Sequence, residues 1–349
     1  MTPASNDAAD HRTPVHILTG FLGSGKTTLL RHLLADPALH DTAVIINEFG
    51  EVGLDQLLVH PVAEDVVLLS SGCLCCSVRD DLLSTLADLD RMMRSGEIPP
   101  YSRAVIETTG MADPAPIMQA ILSERRVAPR YRLGHVITTV DAVNAVSTLA
   151  AQREARQQLA LADRIVVTKC DLVGAADRDA LVARLEGVNA NATIRLSGTG
   201  RVAASDVLAE SDPTWRNPAY AAQRVSPEHS HEHEHPHGHR EADVHDGSVT
   251  TFTVRLERAV DWDSFVDWLE LLLFSRGDSI LRVKGLLRVT GDDRPVVVQG
   301  VQHVLYPPER LTAWPEGSPP GGWIVFIARD LTASSIEASL RSLTEESLV

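Results

Sequence analysis

Through residues 14–215, short apolar runs alternate with stretches of helical periodicity. That alternation predicts an α/β domain whose mostly parallel sheet is flanked by crossover helices. Strands are expected at residues 15–18, 42–46, 66–69, 104–106, 135–140, 165–168 and 193–196. A glycine-rich turn follows the first strand and opens a helix over 27–35. Leu82, Leu83, Leu86, Leu89 and Met93 share one helical face and predict a long amphipathic helix. Pro114 and Pro116 mark another helix start, where the missing N–H is tolerated. The pattern breaks near Trp215, and residues 226–247 carry His, Glu, Asp and Gly with almost no apolar positions, the composition of a disordered linker. Beyond it, strands are expected at 249–256, 281–289, 295–304 and 323–328, with helices at 262–274 and 331–343. The plan is therefore a disordered lead (1–13), the α/β domain (14–215), a His-rich flexible linker (216–248) and a small α+β domain (249–349).

The length of 349 residues suffices for two cored domains. A net charge of -15 without a basic stripe argues against a nucleic-acid partner, since phosphate contacts need clustered Lys and Arg. No apolar run reaches membrane-spanning length, and the polar first residues do not read as a signal peptide. Of the 4 cysteines, Cys73, Cys75 and Cys76 crowd one turn. That is a poor disulfide framework and a good metal or thiol site, which points to the cytoplasm.

Gly20-Phe21-Leu22-Gly23-Ser24-Gly25-Lys26-Thr27 matches the phosphate-loop pattern, between a strand and a helix as the chemistry requires. Its backbone N–H groups can curl around phosphate oxygens, helped by the partial positive charge of the helix N-terminus. Lys26 is expected to reach the β- and γ-phosphates, and the Thr27 hydroxyl to ligate Mg²⁺. Glu107, at the end of an apolar strand, suits Mg²⁺ coordination through water or orientation of the attacking water, and Gly110 can offer its N–H to the γ-phosphate. Thr168-Lys169-Cys170-Asp171 ends another strand. A carboxylate at Asp171 accepts guanine N1–H and N2–H₂ together, and the Lys169 stem can lie over the base. Thr168 stands where ordinary GTPases carry Asn; it keeps a hydroxyl but lacks the amide, which weakens the expected bridge to the phosphate loop. Residues 196–198 are expected near the base edge. These features favour GTP over ATP, and no acceptor-binding lid supports a small-molecule kinase.

Thiolates as close as Cys73, Cys75 and Cys76 can converge on one soft ion, and a helix N-terminus just downstream would favour the thiolate form. Three thiolates leave one tetrahedral position open, which suits exchange rather than a closed structural site. Glu48, in the segment after the second strand, could supply the fourth ligand transiently. Cys170 stands alone and reads as a packing residue. His229, His231, His233, His235, His237 and His239 alternate with other residues in the linker and can bind divalent metals weakly; a passive spacer is the alternative.

The phosphate loop extended through Thr28, the Asn47-Glu48-Phe49-Gly50-Glu51 segment, Gly72-Cys73-Leu74-Cys75-Cys76 and Glu107-Thr108-Thr109-Gly110 together resemble the CobW-like GTPases. These are metal chaperones of the signal-recognition and MinD class of P-loop proteins. Residues 281–285 and 325–331 resemble that family's small C-terminal domain, so the likeness spans nearly the whole chain apart from lead and linker. The resemblance implies GTP hydrolysis coupled to delivery of zinc, or of cobalt for the cobalamin pathway, to a client metalloprotein. It carries the ligand role onto Cys73, Cys75 and Cys76 and the phosphate role onto Gly23, Ser24, Gly25, Lys26, Thr27 and Thr28. A nucleotide- or metal-dependent homodimer is compatible with it. A thiol redox switch gated by oxidation is the competing function.

Overall fold

Seven strands build the first unit: β1 (Thr13–Gly20), β2 (Thr42–Asn47), β3 (Val67–Ser70), β4 (Arg103–Thr108), β5 (Tyr131–Asp141), β6 (Arg164–Thr168) and β7 (Thr193–Leu196). They are seen in a computed structural model that describes residues 11–47, 67–70, 78–199, 201–208, 249–311, 313–314 and 322–346. The strands lie in the order β3-β2-β4-β1-β5-β6-β7, and every neighbouring pair is parallel. A parallel sheet is covered on both faces, so its inner strands must be apolar throughout rather than alternating. The whole of β6 and all of β4 after Arg103 are accordingly buried.

The covering helices are α1 (Lys26–Leu34), α2 (Val78–Ser95), α3 (Ala115–Ser123), α4 (Ala145–Ala151), α5 (Arg153–Leu161), α6 (Ala175–Val188) and α7 (Ala204–Leu208). Leu29, Leu30 and Leu33 of α1 and Val207 of α7 pack on Leu18, Val44, Val105, Ile137 and Val166 of the sheet. Leu82, Leu83, Leu86 and Leu89 are buried on α2 as its periodicity predicts, while Met93 in its last turn is only half-buried. Pro114 and Pro116 do flank the start of α3. The sequence pattern gave no extents for α4, α5 or α6. The reason is visible in their inner faces: α5 buries Gln157 and Gln158 among its apolar residues, and α6 buries only Leu181 and Leu185.

The expected start of β5 at 135 is corrected to Tyr131. Gly134 breaks the apolar run, but tertiary contacts extend the strand. The Tyr131 and Tyr101 hydroxyls lie 2.6 Å apart, and the Tyr131 hydroxyl donates to the Leu86 carbonyl at 2.9 Å.

The second unit contains β8 (Val249–Leu256), α8 (Trp262–Arg276), β9 (Ile280–Val289), β10 (Asp292–Val301), β11 (Val304–Leu305), β12 (Glu309–Arg310), β13 (Gly322–Arg329) and α9 (Ala333–Glu346). Its antiparallel sheet runs β11-β10-β9-β13-β8, with β12 also on β10. Asp261 caps α8 by accepting the Ser264 N–H at 3.0 Å. Phe265, Leu269 and Leu273 of α8 join Ile336 and Leu340 of α9 in one core over Val283, Leu287 and Phe326. The single strand expected over 295–304 is corrected: β10 ends at Val301, Gln302 turns at φ 50°, and Val304–Leu305 folds back to pair with Val301 and Gly300. The linker, expected to be disordered, and all of the lead before residue 11 lie outside the described residues.

On β1, His16 is buried and its Nδ1 accepts the His135 backbone N–H at 3.1 Å. Burial, reinforced by His135 and the nearby Arg164, Arg103 and Arg132, pushes its pKa well below the ordinary 6.5. The folded chain therefore refuses a proton that the unfolded chain accepts. Stability contributed by neutral His16 is fully present above pH 6.5 and is lost as pH falls below it. Thermal unfolding of wild type and H16Q, compared at steps from about pH 8 to about pH 5, should show a flatter acid decline in the variant. Parallel declines would show that His16 does not carry the effect.

Candidate nucleotide site and metal motif

Because all seven strands are parallel, the turns after β1, β4, β5 and β6 leave from one sheet edge, where ligands bind in folds of this kind. Strand β1 ends at Gly20, whose φ of 140° and close packing against Thr139 exclude a side chain. Residues 21–25 then turn, and α1 begins at Lys26 with Gly25 as its N-cap. Short hydroxyl contacts fasten this turn. Ser24 Oγ lies 2.6 Å from Thr139 Oγ1, and Thr108 Oγ1 donates to Thr19 Oγ1 at 2.9 Å.

The predicted phosphate-site residues come together here. The buried Lys26 ammonium donates to the Gly20 carbonyl at 2.9 Å, so the side chain folds back over the loop that would hold phosphate. The Thr27 hydroxyl donates to Glu107 Oε1 at 2.8 Å, although the two residues lie on separate elements. Thr28 is exposed in the first turn of α1, and Gly23 is exposed in the loop. Gly110 packs so tightly that a Cβ there would sit 2.6–2.8 Å from the Cδ2, N and Cα atoms of Leu22. The loop after β4 thus lies directly against the phosphate loop.

The bridge expected to be weak at Thr168 is made after all. Its hydroxyl donates to the Ser24 carbonyl at 2.8 Å, so the O–H alone ties β6 to the phosphate loop. Lys169 adopts the left-handed region at φ 57° and donates both to the Gly23 carbonyl, 2.9 Å, and to Asp141 Oδ2, 2.7 Å. Burial works against the Asp141 carboxylate, but hydrogen bonds from Lys169, Asn144 and the Val143 N–H outweigh it and hold its carboxyl below the usual range. Asp171 is exposed at the start of a short 3-10 turn. Gly198 sits against it, with room for a Cβ only 3.3 Å from Asp171 Oδ1. Backbone bonds from Cys170 N to Ser197 O (3.1 Å) and from Ser197 N to Val167 O (2.8 Å) hold the two segments together. A cavity of about 320 Å³ opens beside the phosphate loop, lined in part by Thr139, Asp141, Gln158 and Lys169.

Asp141, Thr139 and Gln158 were not singled out from sequence. An acid ending an apolar strand was the available signal for Asp141; nothing local marked the other two. Cys170 is buried, its thiol donates to the Val167 carbonyl at 3.2 Å, and burial pushes its pKa up, as suits an inert packing residue. Glu48, Cys73, Cys75, Cys76 and the six linker histidines lie outside the described residues. Among the described residues no cluster of His, Cys, Asp or Glu could hold a metal ion.

The strand order, the glycine-bounded loop and the paired Thr27 and Glu107 define a P-loop nucleotide-binding protein of the α/β class. Residues 14–195 match the family described as CobW/HypB/UreG, nucleotide-binding domain, and residues 249–344 match the cobalamin synthesis protein cobW C-terminal domain. The chain belongs to the CobW/HypB/UreG family. It is 35% identical over 329 residues to the zinc chaperone YjiA of Escherichia coli strain K12, covering 94% of this chain and 98% of that protein. It is 28% identical to the zinc-regulated GTPase metalloprotein activator 1 of Schizosaccharomyces pombe, covering 86% and 77% of the two chains. Among solved structures, the Zn(II)-bound YjiA GTPase from E. coli superposes with a TM-score of 0.70 at 32% identity, covering 95% of this chain and 99% of that one.

Thr168→Val keeps the shape but deletes the donor to the Ser24 carbonyl. It should weaken guanine-nucleotide binding by about 1–1.5 kcal/mol, roughly tenfold, the worth of a hydrogen bond whose buried acceptor is stranded. Displacement of a fluorescent GDP analogue measures it; unchanged affinity would show that the bridge does not shape the loop.

Proposed function

We propose that this chain is a GTP-hydrolysing metallochaperone that takes zinc at Cys73, Cys75 and Cys76 and passes it to a client metalloprotein. The observation that carries the reading is the 2.8 Å contact of the Thr27 hydroxyl with Glu107 beside the buried Lys26. A hydroxyl and a buried carboxylate so placed are hard oxygen donors of the kind Mg²⁺ takes alongside water and phosphate. When bound, Mg²⁺ neutralises phosphate charge. Lys26 offsets charge on the β- and γ-phosphates, Glu107 orients groups around the γ-phosphate, and the Gly110 N–H donates to it. Asp171 selects guanine, with the Lys169 stem against the base.

Zinc is the cargo. The relatives named zinc chaperones support that choice, and thiolates favour zinc over harder ions. Residues 216–248 act as a flexible linker whose histidines buffer metal weakly, and Glu48 completes the cysteine site transiently. No helix among the described residues is long and apolar enough to cross a membrane; we place the protein in the cytoplasm. In the chain, the cysteine turn comes after β3, the 47–51 segment begins at the last residue of β2, and residues 107–110 begin at the end of β4, all strands of one parallel sheet. Metal and γ-phosphate are therefore linked, and each changes the other's affinity by the same factor.

Metal affinity is measured by dye competition in the apo, GDP and non-hydrolysable GTP states. The expected coupling is about 1–3 kcal/mol, removed by Cys75→Ser with Cys76→Ser while GTP binding persists. Three equal affinities would sink coupled transfer. Lys26→Ala should abolish hydrolysis in a phosphate-release assay. Asp171→Asn should cost on the order of 2–4 kcal/mol of GTP binding; equal wild-type affinity for ATP and GTP would remove Asp171 from base selection.

A further inference from the structure

Gln158 lies on α5, fully buried, where a helix covering a sheet would ordinarily present an apolar side chain. Burying an amide is unfavourable unless it is matched by partners. Its Nε2 has two, donating to the Gly110 carbonyl at 3.1 Å and the Ala112 carbonyl at 2.9 Å, while its Oε1 is buried without a partner among the described residues, so the donors alone hold the amide in place. Both neighbours are acceptors, which fixes the orientation of the amide. The backbone carrying it is tied down as well, because the Thr138 hydroxyl donates to the Gln158 carbonyl at 2.9 Å. The preceding Gln157 donates to Asp113, and Asp113 in turn accepts the Ala115 N–H at 2.9 Å where α3 begins. Two consecutive glutamines of α5 thus grip residues 110–113.

That segment begins three residues after Glu107, which meets the Thr27 hydroxyl, and Gly110 lies against Leu22 with no space for a Cβ. The contacts run without a gap from Gln158 to the 110–112 backbone and on to the phosphate loop.

We infer that Gln158 is a positioning residue that holds the Gly110 loop against the phosphate loop and thereby sets the preference for GTP over GDP. The inference rests on the GTPase reading above. A γ-phosphate meeting a Gly110 N–H already in place need not order the loop, and a preorganised donor acts most strongly where charge develops. GDP has no group at that position and gains nothing from the grip. Glutamine matches the task because its two N–H groups span two carbonyls of one loop, which a hydroxyl cannot do.

The test is Gln158→Met, which keeps an unbranched side chain of similar length and deletes both donors. Affinities for GDP and for a non-hydrolysable GTP analogue are measured by calorimetry with Mg²⁺ on the full chain, together with kcat. We expect analogue affinity to fall roughly tenfold, the combined worth of two lost hydrogen bonds, with GDP affinity nearly constant and kcat reduced. Thr138→Val, which only loosens the anchor of Gln158, should shift the ratio in the same direction by less, and it keeps the test open if the first variant folds poorly. An unchanged analogue-to-GDP ratio in both variants, or an equal loss for both nucleotides, overturns the inference and leaves Gln158 as packing. If the wild-type protein binds no GTP analogue, it is the GTPase reading that fails.

Discussion

Hydroxyl hydrogen bonds at the carboxyl ends of adjacent parallel strands hold the phosphate loop, and the geometry of the nucleotide site depends on them. Ser24 meets Thr139 of β5, Thr19 meets Thr108 of β4, and Thr168 of β6 donates to the Ser24 carbonyl. A loop of this kind must leave most of its N–H groups pointing inward to receive phosphate, so apart from the Ser24 N–H, which donates to the Phe21 carbonyl at 3.1 Å, it has little means of bonding to itself. Its stability has to come from side chains of neighbouring strands. The sheet order puts β4 and β5 on either side of β1 and β6 one strand further out, which brings those side chains within reach. Each bond is buried, where an unpaired hydroxyl or carbonyl would be costly, and this makes the set specify one loop shape.

The same edge handles charge economically in an otherwise acidic chain. Lys169 is shared between the loop carbonyl of Gly23 and the Asp141 carboxylate, so its stem is aligned while its charge remains compensated. Asp141 is steadied by Asn144 as well, which keeps it ionised despite burial. Glu107 is buried beside Thr27, a placement that suits a carboxylate serving a hard cation. Lys26 of α1, Glu107 at the end of β4, Asp141 at the end of β5 and Lys169 just after β6 are therefore arranged around one small region. In the antiparallel second unit Asp292 pairs with Arg294 and Arg310, and the core is dominated by Phe265, Leu269, Phe326 and their neighbours.

Much of this was written in local sequence, because the relevant physics is local. The phosphate loop declares itself through glycines that free the backbone and a lysine and threonine at fixed spacing. The parallel sheet declares itself through continuous apolar runs, which only strands covered on both faces can tolerate. Strands β2, β6, β7 and β8 and the buried face of α2 follow directly from such patterns. Where a strand must bend back, as after Val301, or is extended by a distant tyrosine pair, as at Tyr131, periodicity says nothing.

What the tertiary structure alone decided is which polar residues meet. Thr168 looked deficient as a loop anchor because sequence weighs the type of side chain, whereas the sheet places its hydroxyl 2.8 Å from the Ser24 carbonyl. Nothing in the local sequence singled out Gln158, yet its buried amide is aimed at two carbonyls 46–48 positions earlier in the chain. Hydrogen bonds depend on distance and direction to within a few tenths of an ångström, and for groups far apart in sequence those are set by the packing of strands and helices. The sequence by itself therefore determined the fold class, the phosphate loop and the candidate metal motif; three-dimensional packing decided what holds the loop and which neighbours restrain it.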